Sequence, residues 1–251
     1  MKSYDKVAWC TELSPDSHEF FAEMKDDGID TAVVCIAMSG AIYQPGMHQT
    51  YAARAAGMNV HAMCITDLAE PHRDACRFAE RLNYLAYTDD VRLAIMPMPD
   101  ENLEEPEQRI QEMFDVLHEF RPKAEVDVVL TKEQVLNGEI NLDLLPAGIN
   151  LTIANPRGMN AGVKEAGTWI YASFYHDQPQ LLSYDFYQFY SRANQNHGFQ
   201  LDLDTHYEAR VGDSWWVIAK QHGMRVLDLL ELNEADIADR IIPGQRIRVA
   251  K

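Results

Sequence analysis

Thr31-Ala32-Val33-Val34-Cys35-Ile36, then a helix-like stretch over residues 48–57 closing on Ala55-Ala56-Gly57, then Asn59-Val60-His61-Ala62-Met63-Cys64-Ile65: this run of the chain decides the fold. Two short apolar runs rich in β-branched residues, separated by about one helix length, are the pattern of a strand–helix–strand unit. The same unit recurs on both sides. Val7-Ala8-Trp9 reads as a strand, followed by an amphipathic helix over residues 17–25. Downstream come a helix over 71–84, a strand over 91–96, a helix over 106–120 and a strand over 125–130. Such alternation points to a parallel sheet covered by helices, and the number of units favours closure into a barrel over an open sheet. The expected class is α/β, a closed β/α barrel of the TIM-like kind being favoured over a doubly wound sheet.

The last 45 residues change texture. Tyr207-Glu208-Ala209-Arg210-Val211 alternates as a short strand does, and Gly212-Asp213 makes a turn. Ser214 is placed to cap a helix carrying Trp216, Ile218 and Ala219, which stops at Gly223. Val226, Leu227, Leu229, Leu230 and Leu232 then repeat at helical spacing, and Pro243-Gly244-Gln245 turns the chain into Ile247 and Val249. The order is strand, helix, helix, strand. Trp216, Ile218 and the leucines are expected in the core. Neighbouring helical side chains point about 100 degrees apart, so one of Trp215 and Trp216 is expected at the surface.

These motifs, Gly212-Asp213-Ser214-Trp215-Trp216-Val217-Ile218-Ala219, Leu230-Glu231-Leu232-Asn233 and Ile242-Pro243-Gly244-Gln245, resemble the LysM domain throughout its length. The resemblance implies binding of N-acetylglucosamine polymers, peptidoglycan or chitin. Its groove would use Gly212, Asp213, Ser214 and Trp215 on one side and Asn233, Ile242 and Pro243 on the other. The division expected is residues 1–206 for the barrel and 207–251 for the small βααβ module.

Charge divides along the same line. From Tyr207 onward seven acidic residues balance seven basic ones, so the net charge of −17 lies on the body. An acidic body is unsuited to nucleic acid, whose phosphates need clustered Lys and Arg, and to anionic membranes. No run is long enough to span a bilayer. The N-terminus lacks the pattern of a secretory signal, so the expectation is synthesis in the cytoplasm and action at the bacterial wall after phage-type release or as part of a virion. Cys10, Cys35, Cys64 and Cys76 lack any Cys-x-x-Cys spacing and the nine histidines lack metal spacing, so neither a metal nor a cofactor is signalled, and buried free thiols are expected.

A second resemblance covers residues 5–206. Gly28-Ile29-Asp30-Thr31-Ala32-Val33-Val34, Tyr51-Ala52-Ala53-Arg54-Ala55-Ala56-Gly57-Met58-Asn59-Val60-His61-Ala62, Trp169-Ile170-Tyr171-Ala172-Ser173-Phe174-Tyr175, Tyr187-Gln188-Phe189-Tyr190 and Gly198-Phe199-Gln200-Leu201-Asp202-Leu203-Asp204, in that order, are similar to the family 25 glycoside hydrolases, muramidases common among phage endolysins, and the resemblance implies their irregular β/α (TIM-like) barrel. The resemblance implies an aspartate at the end of the first strand, an Asp-x-Glu pair after the third helix and a later aspartate. Here the first strand reads Val7-Ala8-Trp9-Cys10, and the central one Leu93-Ala94-Ile95-Met96-Pro97-Met98-Pro99-Asp100-Glu101. Whether the pair falls on Met96 and Met98 or on Pro97 and Pro99, neither register supplies an acid. Asp202 alone has a counterpart, and Asp100 and Glu101 lie just beyond the strand as substitutes or as an acidic cap of the next helix.

Two readings stay open at this point. One is a wall-binding protein with a non-cleaving barrel, with phage tail or baseplate proteins as further partners. The other is an active muramidase with rearranged carboxylates. The aromatic stretch from Tyr184 to Tyr190 is rich enough in rings to stack on sugar faces, but its alternation is equally that of a barrel strand with an apolar face, which is the favoured expectation, and the linker-free passage at residues 204–206 is expected as a stiff join.

Overall fold

The computed structural model describes residues 4–39, 41–192, 206–209, 213–222, 224–233, 235, 239, 241 and 245–249. They fall into two compact units, one within Met1–Gly198 and one within Phe199–Lys251. The predicted strand spanning residues 198–204 and the join that follows it lie outside the described residues.

The first unit is a closed barrel of eight strands: β1 (Asp5–Cys10), β2 (Thr31–Met38), β4 (Asn59–Thr66), β5 (Arg92–Pro97), β6 (Glu125–Thr131), β7 (Asn150–Ala154), β8 (Thr168–Tyr175) and β9 (Gln178–Asp185). A two-residue strand, β3 (Ala41–Ile42), adds to the rim of β2. From β1 through β8 successive barrel strands pair in parallel, and β9 runs antiparallel to both β8 and β1 and so completes the ring. The predicted α/β barrel is therefore observed, with an antiparallel closing strand as its irregularity. Helices α1 (His18–Asp26), α2 (Pro45–Ala55), α3 (Pro71–Tyr84) and α4 (Pro106–Phe120) occupy the first four crossovers, and the short α5 (Lys132–Leu136) follows β6.

Local chemistry sets these helices. Ser17 caps α1 by accepting the Phe20 N–H, and the helix buries Phe20, Phe21 and Met24. Pro71 and Pro106 open α3 and α4, where a missing N–H costs nothing. Thr131 and Gln134 form a reciprocal capping box on α5. Gly46 in the first turn of α2 lies so close to β2 that a Cβ would fall 2.0 Å from the Cys35 carbonyl oxygen, so only glycine allows this packing.

Side chains alternate across each strand, and two cores result. Outward residues such as Ala8, Val34, Ala62, Leu93 and Val128 pack under the helices. Inward residues Val7, Trp9, Val33, Cys35, Met63, Ala94, Val129 and Ile170 fill the barrel, together with Tyr190. The cysteines Cys10, Cys35 and Cys64 are buried and all four are free. Burial pushes the Cys10 and Cys35 thiols up to about 12, which makes them poor nucleophiles.

Tyr190 departs from expectation. The stretch 184–190 is no continuous strand: β9 ends at Asp185, whose carboxylate accepts the N–H groups of Phe189, Tyr190 and Ser191 at 2.9, 2.9 and 3.1 Å. Three backbone donors captured by one side chain fold the chain into a tight turn and end the ladder. The turn drives the Tyr190 ring into the N-terminal end of the barrel, where its hydroxyl donates to Asp127 and its carbonyl meets His61 Nε2 at 3.0 Å. Asp127 also accepts from Thr152 Oγ1 at 2.6 Å and Asn150 Nδ2 at 2.9 Å. Neither Asp127 nor His61 was legible as part of a polar plug, because their partners come from distant strands.

Burial pushes the Asp127 carboxyl up to about 6 and the His61 imidazole down to about 4. For Asp127 the folded state holds its proton more tightly than the unfolded chain, so the associated stabilisation is present below about pH 4 and is lost as pH rises through 6. His61 acts oppositely: its contribution is present above about 6.5 and is lost as pH falls through 4. The stability of the natural chain minus that of Asp127→Asn is expected to fall by on the order of 2 to 3 kcal/mol between pH 4 and pH 6. Urea denaturation at several pH values measures it, and a difference independent of pH would contradict the assignment.

Candidate functional site

Parallel strands place their C-terminal ends at one mouth of the barrel, where β/α barrels carry their chemistry. The side chains reaching that mouth are mostly apolar. Trp9 is fully buried, donates its indole N–H to Ser183 Oγ at 2.9 Å and meets Tyr190 edge-on at 5.4 Å. Its carbonyl accepts from Gln180 Nε2 at 2.9 Å. Met38, Tyr43, Ile65, Met96, Ala154 and Leu181 pack above this interior core. Met96 packs against this interior core and so occupies the inward register of β5, whereas Met98, beyond the strand, is 56% exposed. Pro97 is buried and carries its carbonyl to Gln134 Nε2.

The acids beyond β5 lie at the surface. Asp100 and Glu101 are both exposed. The Asp100 carboxylate accepts the Asn102 N–H and its carbonyl accepts the Leu103 N–H, so it closes its own turn ahead of α4. Asp202 lies outside the described residues. A carboxylate that the sequence reading passed over, Glu12 on the loop after β1, helps raise the Tyr43 hydroxyl to about 12, behind burial and Cys35. That hydroxyl is buried without a hydrogen-bond partner. Glu12 carries no motif, and its nearness to Tyr43 arises only from the parallel pairing of β1 with β2.

The second unit has the predicted order: β10 (His206–Glu208), α6 (Trp215–Gln221), α7 (Val226–Leu232) and β11 (Arg246–Arg248), with β10 and β11 antiparallel. Ala209, Trp215, Ile218, Ala219, Leu229, Leu230 and Ile247 form its core. The expectation for the tryptophans is reversed. Trp215 is 4% exposed and its indole donates to the Asp239 carbonyl at 2.9 Å, whereas Trp216 is 61% exposed with Lys220 Nζ over its ring. The cap decides this: Ser214 Oγ accepts the Val217 N–H, which fixes the phase of α6 and puts Ile218 and Ala219 on the same side as Trp215.

The residues assigned to the groove serve as braces where they are described. Asp213 accepts from the Tyr207 hydroxyl at 2.8 Å. Asn233 donates to the Leu229 and Arg248 carbonyls and accepts the Arg248 N–H, which ties the end of α7 to β11. The Trp215–Asp239 bond ties the start of α6 to the segment between α7 and β11. Gly212, Ile242 and Pro243 lie outside the described residues.

Residues 207–250 match the LysM domain. The chain also shares its fold with solved lysozyme-type structures. The CTP1L endolysin superposes with a TM-score of 0.61 at 12% identity, covering 74% of this chain and 69% of that one. The catalytic domain of endolysin ply40 from bacteriophage P40 of Listeria monocytogenes gives 0.62 at 9% identity, covering 76% and 97%. GHIP, a glycosyl hydrolase 25 of Streptococcus pneumoniae, gives 0.56 at 8% identity, covering 72% and 86%. No curated protein matches by sequence. The barrel therefore has the fold of family 25 lysozymes and endolysins, joined to a LysM domain. Among the described residues no helix is long and apolar enough to cross a membrane.

The two tryptophans separate packing from surface. Trp215→Ala is expected to destabilise the second unit by about 3 to 5 kcal/mol through the cavity it leaves, and Trp216→Ala by about 0.5 kcal/mol or less. Thermal unfolding followed by tryptophan fluorescence distinguishes them, and equal losses would contradict the assigned phase of α6.

Proposed function

We propose that this chain is a peptidoglycan-binding protein in which the LysM domain holds N-acetylglucosamine-containing glycan and the lysozyme-like barrel binds or positions without cleaving. One observation carries the reading: Trp9 and Met96 fill the interior positions at the barrel mouth where glycoside cleavage needs carboxylates. Cleavage requires a proton donor at the leaving oxygen and a second carboxylate, or a substrate acetamide held by one, to stabilise an oxocarbenium-like centre. An indole that already donates to Ser183 and a thioether can do neither. The acids nearest in sequence, Asp100 and Glu101, are exposed, and Asp100 is engaged in its own turn.

The division adopted is a barrel over residues 1–206 and a LysM domain over 207–251, with Asp213, Ser214, Trp215 and Asn233, and beside them Gly212, Ile242 and Pro243, shaping the groove. Trp215 contributes as the groove's support from within the core, because its ring is buried. The setting proposed is a phage or prophage wall-contact apparatus, a tail or baseplate part made in the cytoplasm. A lysozyme scaffold without its acids suits a component that must grip the wall and leave it intact.

Purified protein is expected to sediment with peptidoglycan, to be released by chitin oligomers, and to lose most of this binding when the chain is ended at His206. A shallow groove buries little ligand, so binding by one module is weak and open to competition. Equal sedimentation of the shortened chain would reject the groove as the main contact. In the same incubation no reducing ends are expected above the buffer control, since losing acid/base groups costs several orders of magnitude in rate. If the wall were cleared, Asp100→Asn, Glu101→Gln and Asp202→Asn would identify the acid, and loss of clearing in any one would make the protein a muramidase with displaced carboxylates.

A further inference from the structure

Beyond the LysM groove, the barrel carries a second concave surface, at the end opposite the mouth. A hollow of about 550 Å³ is lined by Tyr4, Asn160, Lys164, Phe186 and Tyr187, and another of about 350 Å³ by Asp143, Leu145, Pro146, Glu165 and Tyr187. Both fall within the size range of small-ligand sites. Tyr187 lines both hollows and is 71% exposed. Lys164 and Glu165, adjacent in sequence, open into different hollows.

Tyr187 is exposed on a fixed mount. Asp185 gathers three backbone N–H groups of the turn, Tyr190 anchors its far end inside the barrel, and Gln188 Nε2 and Ser191 Oγ both donate to Asp5 at 3.3 and 2.8 Å. Gln188 between them has a φ of +61, a conformation that costs a non-glycine residue energy and that the surrounding bonds hold in place. The strain turns Tyr187 outward while Tyr190 goes inward. Phe186 and Tyr4 back it, edge to face at 5.0 Å. No helix lies between β7 and β8 or between β8 and β9.

We propose that the two hollows astride Tyr187 form a second glycan site, which takes an N-acetylated oligosaccharide with one sugar on each side of the ring. Aromatic faces receive the C–H faces of pyranose rings, and the Asn160, Lys164, Asp143 and Glu165 side chains supply the donors and acceptors that hydroxyl and acetamide groups need. Lining charges of both signs, on a body that carries the −17 of the chain, favour a neutral ligand over an anionic polymer. The choice of N-acetylated sugar rests on the peptidoglycan reading above.

The test is isothermal titration calorimetry of the full chain with tri-N-acetylglucosamine. The expected result is two equivalents bound by the natural chain, one by Tyr187→Ala and two by Tyr187→Phe. Because Tyr187 is exposed, Tyr187→Ala is expected to melt with the natural chain. An equal number of equivalents in the natural chain and Tyr187→Ala overturns the second site. One equivalent falling to none would support it while rejecting glycan binding by the LysM domain.

Discussion

A closed barrel must fill its own interior, and the hydrogen bond from Tyr190 to the buried Asp127 is what the filling of this one depends on. β9 runs against its neighbours, so the chain leaves the ring at the N-terminal end, where the polar residues Asp127, Asn150, Thr152 and Thr168 of β6, β7 and β8 leave room for one more side chain. Tyr190 occupies that room and brings its backbone carbonyl to His61 and its ring to Trp9. A buried carboxylate is costly unless paired with donors, and Thr152, Asn150 and Tyr190 supply them from separate segments. The plug thus joins β4, β6, β7 and the turn after β9 in one polar cluster.

Two consequences lead towards function. The floor beneath the mouth is Trp9 against Tyr190, and above it stand methionine, isoleucine and leucine side chains, so among the described residues the interior at the mouth is lined mainly by apolar groups. The same turn that sends Tyr190 inward sends Tyr187 outward, so what holds the barrel together also presents an aromatic ring beside two hollows. Packing at one end and a prospective ligand surface at the same end share one set of backbone bonds to Asp185.

The small unit follows a different economy of forces. With a core of few side chains, it relies on side chains bonded to backbone: Ser214 on α6, Trp215 on Asp239, and Asn233 on Leu229 and Arg248. Asp213, Ser214, Trp215 and Asn233, which the motif marks for a groove, are therefore also braces of the unit's own fold. Loss of binding in a variant of Asn233 would report the brace as much as any direct contact.

The sequence by itself determined the periodicities. Strand–helix alternation over residues 7–130 and the strand–helix–helix–strand tail are local patterns, set by which positions are apolar and by the caps Ser17 and Ser214, and they reappear in the structure at nearly the predicted bounds. The absence of acids from Ala8-Trp9 and from Met96 to Pro99 was equally legible, because it concerns residue type alone. Only the tertiary structure decided which of Met96 and Pro97 faces inward, which tryptophan of the pair is buried, and that residues 186–190 form a turn. Each depends on a partner distant in sequence, such as Asp239 for Trp215 or Asp127 for Tyr190, and a one-residue change of phase leaves the apolar pattern almost unchanged while moving every side chain to another face.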